Sequence, residues 1–371
     1  MHSVLFITQS CAYGATGGGL GGRMLMSMLE GCVGQGLDVA VLGPKTMELP
    51  HLQQARVLDF RTRSNKFLTF LRLLSGYQAL CGWREHLKLQ SLIATQEYDW
   101  VFMDVSLFGK LTRFTRRYSQ SRCLVHFQNI EYDYFKGQAK ALPFWYRLVY
   151  WNAAYNERLA AKYAHDISLV NFEEAGRLKS LYDRTFDLCL PVCMHAPVLS
   201  QKQPDNQTLQ LLFVGAPYYA NVQGIRHFIQ HILPHTTAHL TVVGRDMATQ
   251  LADVLTPQVT CLGFVPDLAE AYAKSHVVVA PLYVGAGMKV KIAEAWAYGK
   301  KVIATTFAAS GYDVSDAQTI TLCDDDQLFA DAINREPIGD GVCKAARQKF
   351  EQLYDTKVVQ QKMKAFLESR L

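Results

Sequence analysis

Residues 276 to 306 read HVVVAPLYVGAGMKVKIAEAWAYGKKVIATT, and they limit the fold more tightly than any other stretch. Val277, Val278, Val279, Ala280 and Pro281 form an apolar run that predicts a buried strand. Gly285, Ala286 and Gly287 break it. Val290 to Tyr298 is rich in helix formers, and Gly299 stands where a helix ends. Val302 to Thr305 predicts a second buried strand. A strand–loop–helix–strand unit requires parallel strands and a helix laid across the sheet, which makes the fold α/β. Lys289 and Lys291 fall at the helix start, where the macrodipole is already positive. Each charge there costs about 0.3–1 kcal/mol. An anion bound by the free N–H groups of the helix end offsets that cost. Glu294, one turn on, shares the face of Lys291. The other local reading is a solvated Lys–Glu pair on a surface helix.

A length of 371 residues predicts two domains of ordinary size. The hydrophobic fraction of 49% and the charged fraction of 19% are those of a globular chain. A net charge of +5 is too modest to point to nucleic acid, and no nucleic-acid partner is expected. The nine cysteines are dispersed without a CxxC pair, as expected of reduced thiols in the cytosol, and no metal site is expected from them. The chain opens MHSVLFITQS, directly with a strand, so no secretory leader is expected. No run of 18 or more apolar residues would span a membrane.

The first half reads as an α/β series. Val4 to Thr8 is a buried strand, followed by a glycine-rich loop from Ala15 to Gly22, a helix from Arg23 to Cys32 and a strand from Asp38 to Leu42. Gly17, Gly19 and Gly22 satisfy GxGxxG, but the second strand ends in Gly43-Pro44-Lys45 without the acidic residue that a dinucleotide site requires. A loop that closes over a substrate is the better reading. Residues 56 to 90 and Lys110 to Arg122 are basic and interleaved with apolar residues, a pattern that suits an anionic membrane surface as well as a helix with a solvated basic side. Trp100 to Met103 and Cys123 to Phe127 are further strands, followed at their C-terminal ends by Asp104-Val105-Ser106 and Gln128-Asn129-Ile130-Glu131. Ligands of open α/β sheets bind beyond such ends, which makes Asp104 a candidate substrate contact.

Residues 195 to 208 are the most polar and least periodic and are expected to link a domain of residues 1–197 to one of 205–345. The second domain starts a new α/β series whose strands end in Gly215, in Gly244-Arg245 and in Gly263-Phe264-Val265. Val342 to Leu371 reads as one long charged amphipathic helix, its last part (346–371) expected to pack back on the first domain.

With these blocks in order, VGAGMKVKIAEAWAYGKKVIATTFAASGYDV resembles the C-terminal signature of GT-B glycosyltransferases of the GT4 type, the glycosyl transferases group 1. LLFVGAPYYANVQGIRHFIQHILP, LTVVGRD and VTCLGFVPDLAEAYAKSHVVVAPL are similar to its preceding blocks. The resemblance covers residues 209 to 315 well and the first domain more loosely. It implies two Rossmann-like domains facing across a cleft and transfer of a sugar from a nucleotide diphosphate sugar to an acceptor hydroxyl, with retention and without a metal or other cofactor. It places Glu294 at the ribose, Lys291 near the phosphates, and Gly287 and Met288 with their N–H groups toward the phosphates. Phe264 and Val265 flank the base, and Gly18 and Gly19 approach the donor from the first domain. Gly215, Arg245 and Lys289 complete the donor candidates, while His126, Glu131 and Lys291 are the catalytic ones.

Two positions depart from the family. Ala286 stands where a glutamate that contacts the donor sugar is common, and Gln128 stands where the HNxE motif has its histidine, with His126 two residues earlier as a substitute. Loss of one preorganised contact of this kind commonly costs about 10²–10³ in rate. The expected partners are a nucleotide-sugar donor, a glycan or lipid-linked acceptor of surface polysaccharide or glycolipid synthesis, and an anionic membrane surface. The expected location is cytoplasmic, at the inner face of the membrane. A nucleotide-sugar 2-epimerase and a GT-B subunit that binds nucleotide without turnover are the alternative readings.

Overall fold

The computed structural model describes residues 2–9, 17–45, 51–62, 65–141, 146–200, 202–204, 207–285 and 287–370. The chain divides into two compact units: Met1–Pro191 with Val359–Leu371, and Val192–Val358. The division therefore falls before the polar stretch at 195–208, which belongs to the second unit. Among the described residues no helix is long and apolar enough to cross a membrane.

The first unit is built on strands β1 (Val4–Thr8), β2 (Leu37–Val41), β3 (Arg56–Asp59), β4 (Trp100–Met103), β5 (Arg122–Phe127), β6 (Asp166–Leu169) and β7 (Leu188–Cys189). They form one seven-stranded sheet in the order β3-β2-β1-β4-β5-β6-β7, parallel throughout. Helices α1 (Gly17–Val33), α2 (Lys66–Leu74), α3 (Trp83–Thr95), α4 (Gly109–Tyr118), α5 (Glu131–Ala141), α6 (Tyr146–Tyr163) and α7 (Glu174–Tyr182) connect the strands. The central strands β1, β2 and β4 are buried at every position. Burial on both sheet faces explains why they read as unbroken apolar runs instead of alternating ones.

The second unit repeats the plan with β8 (Gln210–Val214), β9 (His239–Val243), β10 (Val259–Cys261), β11 (Val277–Ala280), β12 (Lys301–Ala304) and β13 (Ile320–Leu322). The order is β10-β9-β8-β11-β12-β13, again parallel. Its helices are α8 (Tyr219–His227), α9 (Met247–Leu251), α10 (Ala269–Ala273), α11 (Val290–Ala297), α12 (Thr306–Ala309), α13 (Asp326–Asn334) and α14 (Lys344–Leu353). In each sheet the strand order reverses at one point, between β1 and β4 and between β8 and β11. Such switch points open a crevice at the strand C-termini.

The glycine-rich segment is not a loop where it is described. Gly17 to Gly22 are the first turns of α1, while Ser10–Thr16 lie outside the described residues. Glycine costs about 1 kcal/mol per helix position. The buried Leu25, Met26, Met28, Leu29 and Val33 hold the helix on the sheet against that cost. The stretch expected as one basic amphipathic face is split among β3, α2 and α3. Three of its cations are paired within the unit: Arg56 with Asp38, Arg61 with Asp59, and Arg72 with Glu85.

The expected terminal helix is two helices, α14 and α15 (Thr356–Ser369). The break comes where the backbone turns aside to pair with another segment. Met194 N donates to the Tyr354 carbonyl at 3.1 Å, and Thr356 N donates to the Met194 carbonyl at 3.0 Å. α14 packs on α11 in the second unit. From Val359 onward the chain belongs to the first unit, where Phe366 meets Trp100 at 5.9 Å and Arg370 lies 3.2 Å from Asp187.

Candidate active site

The second unit collects its polar strand ends at the switch point between β8 and β11. β11 ends at Ala280, and the chain then runs from Pro281 through Gly285 and Gly287 into α11. Gly287 has φ +63°, a left-handed conformation that favours glycine, and it lets the loop turn tightly into the helix. Ala286 lies outside the described residues. No side chain caps the N-terminus of α11, and no acidic residue lies in its first turn. The end thus offers N–H donors and a positive dipole toward the strand edge.

Lys291 sits in the first turn of α11, its ammonium 2.7 Å from the Oδ1 of Asn221 and 4.4 Å from the centroid of the Phe213 ring. Its partner is an amide, not a carboxylate. Burial, with Lys289 acting in the same direction, pushes its pKa down to about 7, and Glu294 opposes the shift. Among the described residues no carboxylate forms an ion pair with this partly desolvated cation, which leaves it able to attract an anion. Asn221 lies in the first turn of α8 and also donates to the Ala216 carbonyl at 2.9 Å. A side chain on Gly215 would come within 2.9 Å of Asn221, so glycine at the end of β8 keeps that amide in place.

Glu294 is half-buried one turn further along α11, its Oε2 accepting from the Tyr272 hydroxyl at 2.9 Å. Burial raises its pKa, while the phenol and Lys291 lower it. Arg245 lies over the exposed ring of Phe264 at 5.2 Å, which joins the ends of β9 and β10 in one platform, with Val265 half-buried beside it. Lys289 departs from the expected role. Its ammonium turns back to the Gly287 carbonyl at 2.6 Å and over the Phe307 ring at 4.4 Å, closing the loop on itself. Met288 is buried beneath that loop.

The first unit treats its strand-end groups differently. Asp104 is fully buried. Its carboxylate accepts from the Thr8 hydroxyl and from Gln9 N at 3.4 Å, and its backbone carbonyl accepts from Gln128 Nε2 at 3.0 Å. In place of the expected substrate contact it clamps β1 to β4. His126 is a packed strand residue, buried, with Nδ1 3.0 Å from Ser168 Oγ. Burial lowers its pKa to about 4, so the ring is neutral and held inside the sheet. Neither position suits a catalytic group that must touch substrate.

Glu131 opens α5 and is also buried. It belongs to a cluster with Glu157 and Glu174. Glu157, on α6, accepts from Ser106 Oγ at 2.9 Å, Glu131 N at 2.7 Å, Tyr132 N at 3.1 Å and Tyr182 OH at 2.6 Å. Burial and the Glu157 charge raise Glu131 and Glu174 to about 8 each. Gly18 and Gly19 lie in the first turn of α1.

Asn221, Tyr272 and Glu157 had not been singled out in the sequence. Asn221 and Tyr272 meet their partners 70 and 22 residues away. Glu157 had a readable signal: it falls in the buried helical stripe Asn152, Ala153, Asn156, Glu157, Ala160 and Ala161.

Residues 208–335 match the family model described as Glycosyl transferases group 1. No curated protein sequence matches the chain. Among solved structures it is similar to sucrose-phosphate synthase from Thermosynechococcus elongatus, with 15% identity, 100% of this chain and 99% of that chain covered, and a TM-score of 0.73. It is similar to Anabaena HepE in complex with UDP and glucose, at 14% identity with both chains covered in full and a TM-score of 0.67. A third is the lipopolysaccharide outer core galactosyltransferase WaaB in its apo form, at 12% identity, both chains covered in full, with a TM-score of 0.69. The chain has the fold of GT-B glycosyltransferases, and residues 208–335 of its second unit match the group 1 glycosyltransferase model.

Proposed function

We propose that the protein is a retaining, metal-independent hexosyltransferase of the GT4 type that moves a sugar from a nucleotide diphosphate sugar to an acceptor hydroxyl. The observation that carries this reading is Lys291: a half-buried ammonium resting on an amide at the head of an uncapped helix, one turn from a carboxylate suited to a ribose. In this reading Lys291 and the N–H groups of Gly287, Met288 and the α11 terminus take the charge that develops on the leaving diphosphate. Glu294 accepts from the ribose hydroxyls, and the Arg245–Phe264 platform holds the base. HepE is described in complex with UDP and glucose, which makes uridine the first base to test.

The acceptor is a lipid-linked glycan of surface polysaccharide or glycolipid synthesis, met at the inner face of a membrane. Supporting this, α2 leaves Phe67, Leu68, Phe70, Leu71 and Leu74 exposed, and it packs on α6, where Trp151 is exposed too. Apolar side chains with Lys66, Arg84 and Lys88 exposed nearby in the chain suit an anionic interface.

The test is calorimetric titration of UDP-, GDP-, ADP- and dTDP-sugars, followed by transfer assays with and without EDTA. Absence of binding by every donor sinks the reading. A nucleotide-binding subunit without turnover is the second reading, favoured by the internal engagement of Asp104 and His126. Tight donor binding with neither transfer nor hydrolysis would select it.

A further inference from the structure

We propose that Tyr272 is a positioning residue for the nucleotide: its hydroxyl fixes one oxygen of Glu294 so that the other faces the ribose diol. The inference rests on the donor-site reading of Glu294. Tyr272 is fully buried at the end of the short helix α10, with its own backbone held by Tyr272 N to the Leu268 carbonyl at 2.9 Å and by Ser275 Oγ to the Tyr272 carbonyl at 2.8 Å. Its ring lies flat on Tyr298, with centroids 4.1 Å apart and planes 8° apart. A ring clamped in this way holds its hydroxyl oxygen in one place, from which the O–H donates to Glu294 Oε2 at 2.9 Å.

The bond does two things. It removes rotational freedom from a carboxylate that would otherwise choose among rotamers, and it favours the ionised form in a site where burial works the other way. An ionised carboxylate accepts from both ribose hydroxyls, whereas a protonated one offers a donor where an acceptor is needed. The charged and titratable groups around Glu294 are Lys291 on its own helix, Tyr272 on α10, Tyr298 at the end of α11, Tyr312, and Asp267 acting on Tyr298. Lys291 opposes protonation of Glu294, and Tyr272 adds the directional bond.

The experiment titrates UDP, GDP and ADP, each with its 2′,3′-dideoxy counterpart, into the full-length wild type, Tyr272→Phe, Glu294→Gln and the double variant. Tyr272→Phe keeps the ring and the stack. It is expected to weaken ribonucleotide binding about tenfold, the size of one hydrogen bond to a charged group, and to leave dideoxy binding unchanged. Its deficit is expected to grow as pH falls, because Glu294 then takes up a proton more readily. In the Glu294→Gln background, Tyr272→Phe is expected to add nothing. Equal loss for both nucleotide forms, or no loss, overturns the positioning role while leaving the donor site intact. Failure of wild type to bind any of the six nucleotides overturns both. If Tyr272→Phe does not fold, Tyr298→Leu, which removes the ring stacked on Tyr272, decides: loss confined to the ribonucleotides supports the proposal, and equal loss for both forms or no loss overturns it.

Discussion

Lys291 in the second unit rests on an amide oxygen 2.7 Å away, and among the described residues no carboxylate forms an ion pair with it, Glu294 acting on it only across a turn of helix. Glu157 in the first unit gathers two hydroxyls and two backbone N–H groups around one carboxylate. Both are ionisable groups at least half-buried beside the C-terminal end of a parallel sheet, yet one is under-satisfied and the other saturated. A polar residue at a strand end is therefore not a ligand by position alone. The deciding quantity is whether its hydrogen-bonding and electrostatic capacity is already taken by its neighbours. By that measure the donor site proposed above belongs in the second unit, while the polar strand ends of the first unit hold its own elements together.

The largest break in this contrast is expected from Lys291→Met. Removing the ammonium should lower transfer by about 10²–10³. It should also raise the melting temperature of the unliganded protein by about 2–4 °C, since the desolvated charge opposes folding. Kinetics and calorimetry on one preparation test both signs, and a variant that loses activity and stability together would break the contrast.

Glu157→Ala should do the reverse. It leaves two hydroxyls and the head of α5 without their acceptor, at a cost of about 3 kcal/mol measured by urea unfolding. Nucleotide affinity should stay within about twofold, as expected for a residue whose hydrogen bonds all lie within its own unit.

The two units should also answer pH in opposite directions. Glu131 and Glu174 are raised from about 4.5 to about 8, so the folded first unit binds protons that the unfolded chain releases. Their contribution is full below the unfolded value and is lost as pH rises through 8. Lys291 is lowered from 10.5 to about 7, so stability is gained as pH rises from 7 toward 10.5 and lost as it falls through 7. Hydrogen exchange resolved by segment at pH 6 and 8.5 would show protection falling in α5 and rising in α11. Nucleotide affinity should fall above pH 7, as Lys291 loses its proton.

The smallest effect is expected at α2. Phe67→Ser with Phe70→Ser should reduce co-sedimentation with anionic liposomes several-fold and leave soluble-donor hydrolysis unchanged. Binding that ignores both the substitution and salt would remove the membrane from the reading.

The 276–306 unit was legible because both its strands are buried on two faces and its helix carries a clear stop at Gly299. The same rule missed β3, β7 and β13, since edge strands are short and partly exposed and show no apolar run. The glycines of α1 misled because local propensity favours a loop where tertiary burial of Leu25, Met28 and Leu29 makes a helix. Within the site, Lys291 and Glu294 were readable from their place on one helix face. Asn221 and Tyr272 were not, because each acts through a contact distant in sequence. Asp104 and His126 looked alike to a reader of strand ends, and only burial separates them from ligands.

The bridge between Met194 and Asp355 has a practical meaning. It brings the two ends of Val192–Val358 side by side, so the second unit is one continuous stretch with adjoining termini, while the first unit is the interrupted one. In genetic terms the second unit is organised like an insert. Segments with neighbouring termini are the ones that tolerate excision, permutation and transplantation. Residues 192–358 are therefore the piece to express alone when the proposed nucleotide recognition is to be tested by itself, and the bridge is the seam along which to cut.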